Sequence, residues 1–288
     1  MDSNLVRRVA FAVVAIPLAL GVAWYGGLPL ALLLAIAGAL GTRELFDLAG
    51  RQGIRPARPL GYVTAAAFAP LVYAVLAAPD VRALVLPAWP YLAALWVMVL
   101  LTWVLAARSP VDRPLSSAAV TLLAVAYTSA LPAFLIGIRH TQYPERSWAG
   151  AWLVFYPLVV TWVCDTAAMF GGRRFGGAKL APTVSPGKTR SGSAAGVLGG
   201  LLVAPIFAFW VFPRVGVQVP LEQLAVIAVV LSVVGQVGDL VESLFKREAG
   251  VKDSSQLIPG HGGVLDRLDS LYFVIPAAAA MYRWFGVI

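Results

Sequence analysis

Long apolar runs separated by short polar stretches recur along the whole chain of 288 residues. A membrane-spanning helix needs ~20 consecutive, mostly apolar residues. The pattern predicts an all-α polytopic membrane protein with about nine transmembrane helices, at roughly 9–25, 28–42, 60–78, 91–107, 115–138, 148–170, 192–213, 221–245 and 270–286. The second of these spans is short and the third and fourth have loosely defined ends, so eight or ten spans stay open as alternatives.

Composition supports this class. Hydrophobic residues make up 60% of the chain and charged residues 12%. Soluble domains average about 25% charged residues, and disordered segments have low hydrophobicity, so both classes are excluded. Nine spans leave no room for a separate soluble domain. We therefore predict one integral-membrane domain, residues 1–288, in which 1–147 form a helical scaffold and 148–288 carry the candidate chemistry.

The basic residues indicate an orientation. With the N-terminus in the cytoplasm and loops assigned alternately, 17 of the 22 Lys and Arg residues fall on the cytoplasmic side, which agrees with the positive-inside bias. The net charge of +8 therefore indicates a membrane protein, with no nucleic-acid partner. Half of the 14 acidic residues lie in or beside the last two large cytoplasmic loops. We expect an active site on that side.

A first polar cluster ends the eighth predicted span. Asp239, Glu242, Ser243 and Lys246 are spaced i, i+3, i+4 and i+7, so they share one face of a helix. Ionisable residues inside a span are costly, which indicates that this face lines a wet cavity or binds a ligand. The alternative is a helix end at which Glu242 pairs with Lys246 and nothing else happens.

A second cluster lies in the loop from Lys252 to Asp269. Gly262 and Gly263 let the backbone approach a ligand closely. Asp266 and Asp269 begin the ninth span, where the helix dipole alone would favour acids. Carboxylates near phosphate-binding bases are also what Mg²⁺ needs, usually one or two of them together with substrate phosphates. A loop histidine next to two glycines, His261, adds a further candidate.

A third cluster follows the sixth span. Cys164-Asp165-Thr166 is followed by glycines and bases up to Ser185-Pro186-Gly187-Lys188-Thr189. Glycines among bases can form backbone nests for phosphate oxygens; the alternative is a basic loop that only faces lipid. The stretch is not a Walker A loop, because the upstream glycine is missing. Cys164 is the only cysteine, which excludes an internal disulfide.

The second cluster resembles the signature of the CDP-diacylglycerol synthase (phosphatidate cytidylyltransferase) family. Eleven signature identities occur within 27 residues at the required spacing. The third cluster resembles another recurrent segment of that family, although Ala167, Met169, Arg190 and Ser191 depart from it. The signature residues are Ser243, Lys246, Arg247, Lys252, Asp253, His261, Gly262, Gly263, Asp266, Arg267 and Asp269.

The resemblance implies an enzyme that joins CTP and phosphatidate into CDP-diacylglycerol and pyrophosphate. It implies Mg²⁺ held by Asp239 and Asp266, with Asp269 supporting that site together with a second cation such as K⁺. It further implies a homodimer in a bacterial inner membrane. Lys246 and Lys252 join these aspartates as expected catalytic residues. The expected substrate-binding residues are Asp165, Ser185, Lys188, Ser243, Arg247, His261 and Arg267.

Two other functions compete with this one. A CTP-dependent polyprenol or phytol kinase would transfer the γ-phosphoryl group and release CDP. A transporter would use Asp239 and Glu242 as coupling-ion sites, but the halves show no inverted repeat and the acids cluster at one face. A CDP-alcohol phosphotransferase is disfavoured, because its Asp-Gly-x-x-Ala-Arg motif does not occur.

Overall fold

The computed structural model describes residues 3–257 and 262–288, with side chains from residue 13 onward. His261, a predicted substrate-binding residue, lies outside this described part. The protein is 79% helical. Short 3-10 turns at Pro110–Asp112 and Pro213–Val215 and π-helical turns at Ala126–Ala130 and Phe207–Val211 interrupt the helices. The helices are α1 (Ser3–Tyr25), α2 (Gly27–Arg51), α3 (Arg58–Ala77), α4 (Pro79–Ala107), α5 (Pro114–Val125), α6 (Leu131–His140), α7 (Trp148–Phe175), α8 (Arg190–Leu201), α9 (Val203–Ile206), α10 (Leu221–Glu248), α11 (Leu265–Leu268) and α12 (Leu271–Trp284).

Seven helical segments of the described chain are long and apolar enough to cross a membrane. They coincide with the second to the eighth predicted spans and confirm a helical membrane protein. The first predicted span lies within α1, which has 23 residues and whose side chains are described from Val13 onward. The ninth corresponds to α12, which has 14 residues. The count of nine therefore stays a prediction, as does the orientation.

Two helices differ from their predicted bounds. α4 begins at Pro79, well before residue 91, because proline is favourable in the first helical turn. Pro87 and Pro90 lie inside α4, where membrane helices tolerate proline. α2 continues to Arg51 instead of ending at residue 42, so it carries residue 44 within the helix.

The chain divides into two compact units. Unit 1 comprises Met1–Leu18, Gly27–Ile136 and Ala249–Arg267. Unit 2 comprises Ala19–Gly26, Gly137–Glu248 and Leu268–Ile288. The loop that follows α10 thus belongs to the same unit as α2 to α5, although the sequence groups it with the C-terminal half.

Unit 1 is held together by apolar contacts and buried hydroxyls. One apolar cluster contains Ala57, Leu100, Val104 and Ala118, and another joins α2, α3 and α6 through Ala31, Ala69 and Ile136. The Oγ1 atoms of Thr42 and Thr128 lie 2.7 Å apart, inside the unit. Without a hydrophobic driving force between helices in lipid, such close packing and hydrogen bonding hold them together.

Unit 2 has an aromatic core. Tyr156 and Phe212 both pack against Phe207, and the Tyr156 hydroxyl donates to the Leu224 carbonyl at 2.7 Å. Arg139 is fully buried and donates to the last carbonyls of α1, those of Ala23, Trp24 and Tyr25. Helix ends leave their carbonyls unpaired, so this arginine caps α1.

Candidate active site

A cavity of about 560 Å³ opens in unit 2. Its wall is formed by the C-terminal half of α7, the start of α8, α10 and the segment between α7 and α8. Acidic and basic side chains face each other across it, which suits a polyphosphate together with a cation. The charged residues that line it are Asp165, Arg173, Lys179, Lys188 and Asp239.

A β-hairpin positions Lys188 in this cavity. Strands β1 (Lys179–Ala181) and β2 (Ser185–Thr189) pair antiparallel. The Lys188 Nζ lies 2.5 Å from the Asp239 Oδ2, and about a quarter of each side chain is exposed. The sequence predicts a loop here, because Pro and Gly are depleted in strands. Ser185 is half-buried in β2, opposite Ala181, and is not among the residues that line the cavity.

The hairpin is attached to α8 by hydroxyl hydrogen bonds. Thr189 caps α8, its Oγ1 accepting from the Gly192 N–H at 3.1 Å. The Ser191 Oγ donates to the carbonyl of Gly176, which follows α7. Ser191, one of the departures from the family pattern, therefore ties the start of α8 to the end of α7.

Small residues bring α7 and α8 close together. A Cβ added to Gly192 would lie 2.7 Å from the Ala168 carbonyl oxygen, and one added to Gly196 would lie 3.0 Å from the Cys164 carbonyl. The side chain of Ala167, another departure, lies against Gly199. Gly192 and Gly196 form the small-xxx-small spacing of close membrane-helix pairs, and here it serves packing within unit 2.

The predicted polar face of α10 divides into two pairs. The Ser243 Oγ donates to the Asp239 Oδ1 at 3.3 Å. One turn further on, the Lys246 Nζ lies 2.5 Å from the Glu242 Oε2, and Glu242 is only 1% exposed. Asp239 lines the cavity, and Ser243 contacts this carboxylate. Lys246 forms the buried ion pair with Glu242 that the alternative interpretation of this helix face predicts.

Three carboxylates of unit 2 are close enough for their charges to interact: Asp165, Asp239 and Asp269. Burial, and then the charge of Asp239, raise the pKa of Asp269 to about 6. Gly238 places α10 directly against the Asp269 backbone, since a Cβ there would lie 2.8 Å from the Asp269 carbonyl oxygen. A cation beside these acids would favour their ionised forms.

This donor set fits Mg²⁺. No three His, Cys, Asp or Glu side chains within residues 3–257 and 262–288 are near enough to share one metal ion, although three aspartates influence one another electrostatically. Mg²⁺ usually takes only one or two carboxylates and completes its shell with water and substrate phosphates. The distances and the electrostatics are therefore both compatible with a magnesium–nucleotide site at Asp239.

The part of the family signature that belongs to unit 1, residues 252–267, is called the signature loop, and it orients Asp266. Its Oδ2 accepts from the Ser254 N–H at 2.9 Å, the Ser254 Oγ at 2.7 Å and the Gly263 N–H at 2.8 Å. Gly262 has φ +79°, and a Cβ there would lie 2.6 Å from the same carboxylate oxygen. Both glycines thus allow the backbone to approach carboxylates of the protein itself, and the predicted approach to a ligand stays a prediction.

The remaining predicted site residues are placed as follows. Lys252 and Arg267, in unit 1, are exposed. Arg247, in unit 2, is exposed and its Nε donates to the Val184 carbonyl in the hairpin turn at 3.2 Å. Asp239 belongs to unit 2 and Asp266 to unit 1, so their joint role as metal ligands stays a prediction.

The sequence analysis did not identify one acidic residue that is hydrogen-bonded to the signature loop. Glu44 is buried in α2 and accepts hydrogen bonds from that loop. The predicted second span ends at residue 42, which placed Glu44 in a loop. A buried acid inside an otherwise apolar helix is the signal that could have identified it.

Comparison with known proteins agrees with these features. The model of the cytidylyltransferase family matches residues 6–285. Proteins named phosphatidate cytidylyltransferase are similar to the chain: one from Haemophilus influenzae is 40% identical over 162 residues, and one from Brucella suis is 50% identical over 139 residues. These matches cover 56% and 47% of both chains, so the matched region spans about half the length of each relative. The resemblance seen in the signature is confirmed, and the chain belongs to the cytidylyltransferase family.

Proposed function

We propose that this protein is a phosphatidate cytidylyltransferase, which converts CTP and phosphatidate into CDP-diacylglycerol and pyrophosphate. The observation that carries the proposal is the cavity in which Lys188 contacts Asp239. It offers an ammonium group for phosphate oxygens beside a carboxylate for their metal ion. Membership of the cytidylyltransferase family and the names of the relatives support it.

The reaction needs positioning and charge stabilisation. An oxygen of the lipid phosphate attacks the α-phosphorus of CTP, the new P–O bond forms, and the bond to the bridging oxygen of pyrophosphate breaks. Fixed groups aimed at the developing charge supply most of the catalysis in such a displacement. No protein nucleophile takes part, in keeping with a sequence that offers no nearby Ser–His or Cys–His pair.

The candidate site residues would have metal-binding and substrate-binding roles. Asp239 and Asp266 would hold Mg²⁺, and Asp269 would support that site with a second cation such as K⁺. When bound, Mg²⁺ neutralises charge on the triphosphate and on the departing pyrophosphate. Lys188 would leave Asp239 and bind a phosphate oxygen when substrate enters. The other groups proposed to contact substrate are Asp165, Ser185, Ser243, Lys246, Arg247, Lys252, His261 and Arg267.

The proposal places this chemistry at the cytoplasmic face of a bacterial inner membrane. Seven long apolar helices make the chain an integral membrane protein, and the asymmetry of the basic residues favours a cytoplasmic N-terminus. With α1 and α12 counted as spans, the chain crosses nine times. Acyl chains of phosphatidate would enter from the cytoplasmic leaflet, and we propose a homodimer as the working assembly.

The test is a product assay. Purified protein in detergent is incubated with phosphatidate, CTP and Mg²⁺, and lipid and nucleotide products are identified by mass spectrometry. We expect CDP-diacylglycerol and pyrophosphate, and neither product when EDTA is present. Release of CDP with a phosphorylated polyprenol, in a parallel reaction with that acceptor, would instead identify a lipid kinase and overturn the proposal.

A further inference from the structure

Glu44 is a buried acid whose charge is satisfied by one loop. It lies in α2 with 3% of its surface exposed, within a helix long and apolar enough to span a membrane. An ionised carboxylate in such a place is costly unless hydrogen bonds compensate for lost water. The hydrogen-bond donors around Glu44 therefore indicate its role.

Four donors from the signature loop surround the carboxylate. The Oε1 accepts from the Ser255 Oγ at 2.8 Å and the Val264 N–H at 2.9 Å. The Oε2 accepts from the Ser254 Oγ at 3.0 Å and the Leu265 N–H at 2.8 Å. Each oxygen thus takes one hydroxyl and one backbone N–H, and the donors come from both sides of the 258–261 segment.

Ser254 contacts Asp266 as well as Glu44. The Ser254 Oγ lies 3.0 Å from the Glu44 Oε2 and 2.7 Å from the Asp266 Oδ2, so its single proton is shared between the two carboxylates. Ser254 is buried, and a Cβ added to Gly263 would collide with both Ser254 and Glu44. The three side chains therefore form a compact chain of contacts inside unit 1, from α2 to a predicted metal ligand.

We propose that Glu44 is a positioning residue for the signature loop, which it holds so that Asp266 keeps the orientation needed for catalysis. The inference rests on the proposed function, because it gives Asp266 a role in the reaction. It also assigns a task to the N-terminal helices: α2 supplies the fixed point to which the loop is attached. Glu44 acts through Ser254 and the loop backbone and does not contact substrate.

Glu44→Gln is the sharpest substitution. Glutamine keeps the shape of the side chain but replaces one acceptor oxygen with a donor NH₂ group. Since each carboxylate oxygen accepts from a backbone N–H, the amide opposes one of these donors in either orientation. Ser254→Ala is the second variant, because it removes the hydroxyl shared with Asp266 and leaves both backbone bonds to Glu44 in place.

Asp47→Asn is the matched control. Asp47 lies on the same helix, three residues further on, and is half-exposed, with Arg58 at 2.8 Å as its ion-pair partner. It undergoes the same change from carboxylate to amide, and its ion-pair partners are Arg43 and Arg58, with no hydrogen bond or ion pair to residues 249–257 or 262–267. We expect its turnover and magnesium dependence to match the wild type within twofold.

Two measurements test the proposal. We expect Glu44→Gln and Ser254→Ala to lower kcat about 10- to 100-fold, as for groups that orient a metal ligand, and to raise the Mg²⁺ concentration for half-maximal rate, with KM for CTP changed less than threefold. Hydrogen exchange should show protected Val264 and Leu265 amides in the wild type and in Asp47→Asn, and loss of protection of at least one of these two amides in Glu44→Gln.

The outcomes are distinct. If Glu44→Gln lowers only the unfolding temperature, while kcat and magnesium dependence of the folded protein match the wild type, Glu44 is merely structural and the proposal is wrong. If the wild type makes no CDP-diacylglycerol, the proposed function fails separately. Amide exchange still decides in that case: unchanged protection in Glu44→Gln overturns the attachment of the loop, and lost protection supports it.

Discussion

The two aspartates predicted to bind magnesium are held in different ways. Asp239, in unit 2, lines a cavity and faces the Lys188 ammonium group at 2.5 Å. Asp266, in unit 1, points one oxygen at two backbone N–H groups and a serine hydroxyl. The first carboxylate has a charged partner on a flexible stem; the second has neutral donors fixed by the loop.

The difference indicates two tasks. A lysine ammonium is a point charge that rotates easily, so Lys188 can exchange Asp239 for a phosphate oxygen as substrate and metal arrive. Fixed neutral donors of the loop orient Asp266 before any ligand binds. We infer that Asp266 is preorganised, whereas Asp239 changes partners during the reaction.

The largest effects are expected from the aspartates themselves. Asp239→Asn or Asp266→Asn should lower turnover more than ~100-fold, because loss of a metal ligand should exceed the 10- to 100-fold cost of losing groups that merely orient one. The measurement is CDP-diacylglycerol formation at saturating substrates. Near-wild-type turnover in either variant would refute its metal assignment.

The same two variants should differ in stability. The three hydrogen bonds to Asp266 from Ser254 and Gly263 all end on the Oδ2 atom, and the asparagine carbonyl can still accept them without the charge. Because a hydrogen bond to a charged group contributes about 1.5–3 kcal/mol and a neutral one about 0.5–1.5 kcal/mol, Asp266→Asn should still lower the unfolding temperature. Asp239→Asn breaks a partly exposed ion pair, which contributes at most ~1 kcal/mol, and should hardly change it. Equal loss of stability in both variants would contradict the comparison.

The next effect concerns Lys188. Lys188→Ala removes the cation that faces Asp239, and loss of one charge-assisted hydrogen bond to a phosphate should raise KM for CTP about 10- to 100-fold. Steady-state kinetics with varied CTP measure this. A changed KM for phosphatidate with an unchanged KM for CTP would assign Lys188 to the lipid substrate instead.

A smaller effect is expected from Gly238→Ala. The new methyl group would lie 2.8 Å from the Asp269 carbonyl oxygen, and overpacking of this kind costs about 1–3 kcal/mol. Unfolding temperature and turnover should both fall as Asp269 moves away from Asp239. Gly137→Ala is the control, because nothing lies within 4 Å of its added Cβ; equal losses in the two variants would contradict the packing argument.

The smallest effect is expected from Arg55→Ala. Arg55 is an exposed unit 1 arginine whose Nη1 lies 3.2 Å from the Asp112 Oδ1. Because exposed pairs contribute little, turnover should stay within twofold of the wild type in the product assay. A large loss would mean that basic residues outside the predicted site take part in catalysis.

Much of the architecture is readable from the sequence, because apolar runs and helical spacing are local patterns. Hydropathy located the seven long helices, and the i, i+4 spacing placed Ser243 beside Asp239. The family resemblance made Lys188 an expected substrate-binding residue. The structure places its ammonium group beside Asp239, and its role toward substrate stays a prediction.

The hairpin and the partners of Glu44 are the features that sequence reasoning missed. Residues 179–189 include Pro182, Pro186 and Gly187 and lack the alternation typical of strands. Glu44 lies 210 residues from Ser254 in sequence, and no local pattern links them. The spacing on α10 allows Lys246 either to face a ligand or to pair with Glu242, and in the structure it pairs with Glu242.

The most direct test of the proposed reaction follows the phosphorus atoms of CTP. Parallel reactions contain CTP labelled with phosphorus-32 at either the α- or the γ-phosphate, together with phosphatidate, Mg²⁺ and purified protein. Attack on the α-phosphorus predicts lipid-soluble label from α-labelled CTP and pyrophosphate label from γ-labelled CTP. Lipid-soluble label from γ-labelled CTP would show phosphoryl transfer and contradict the assignment of this protein as a phosphatidate cytidylyltransferase.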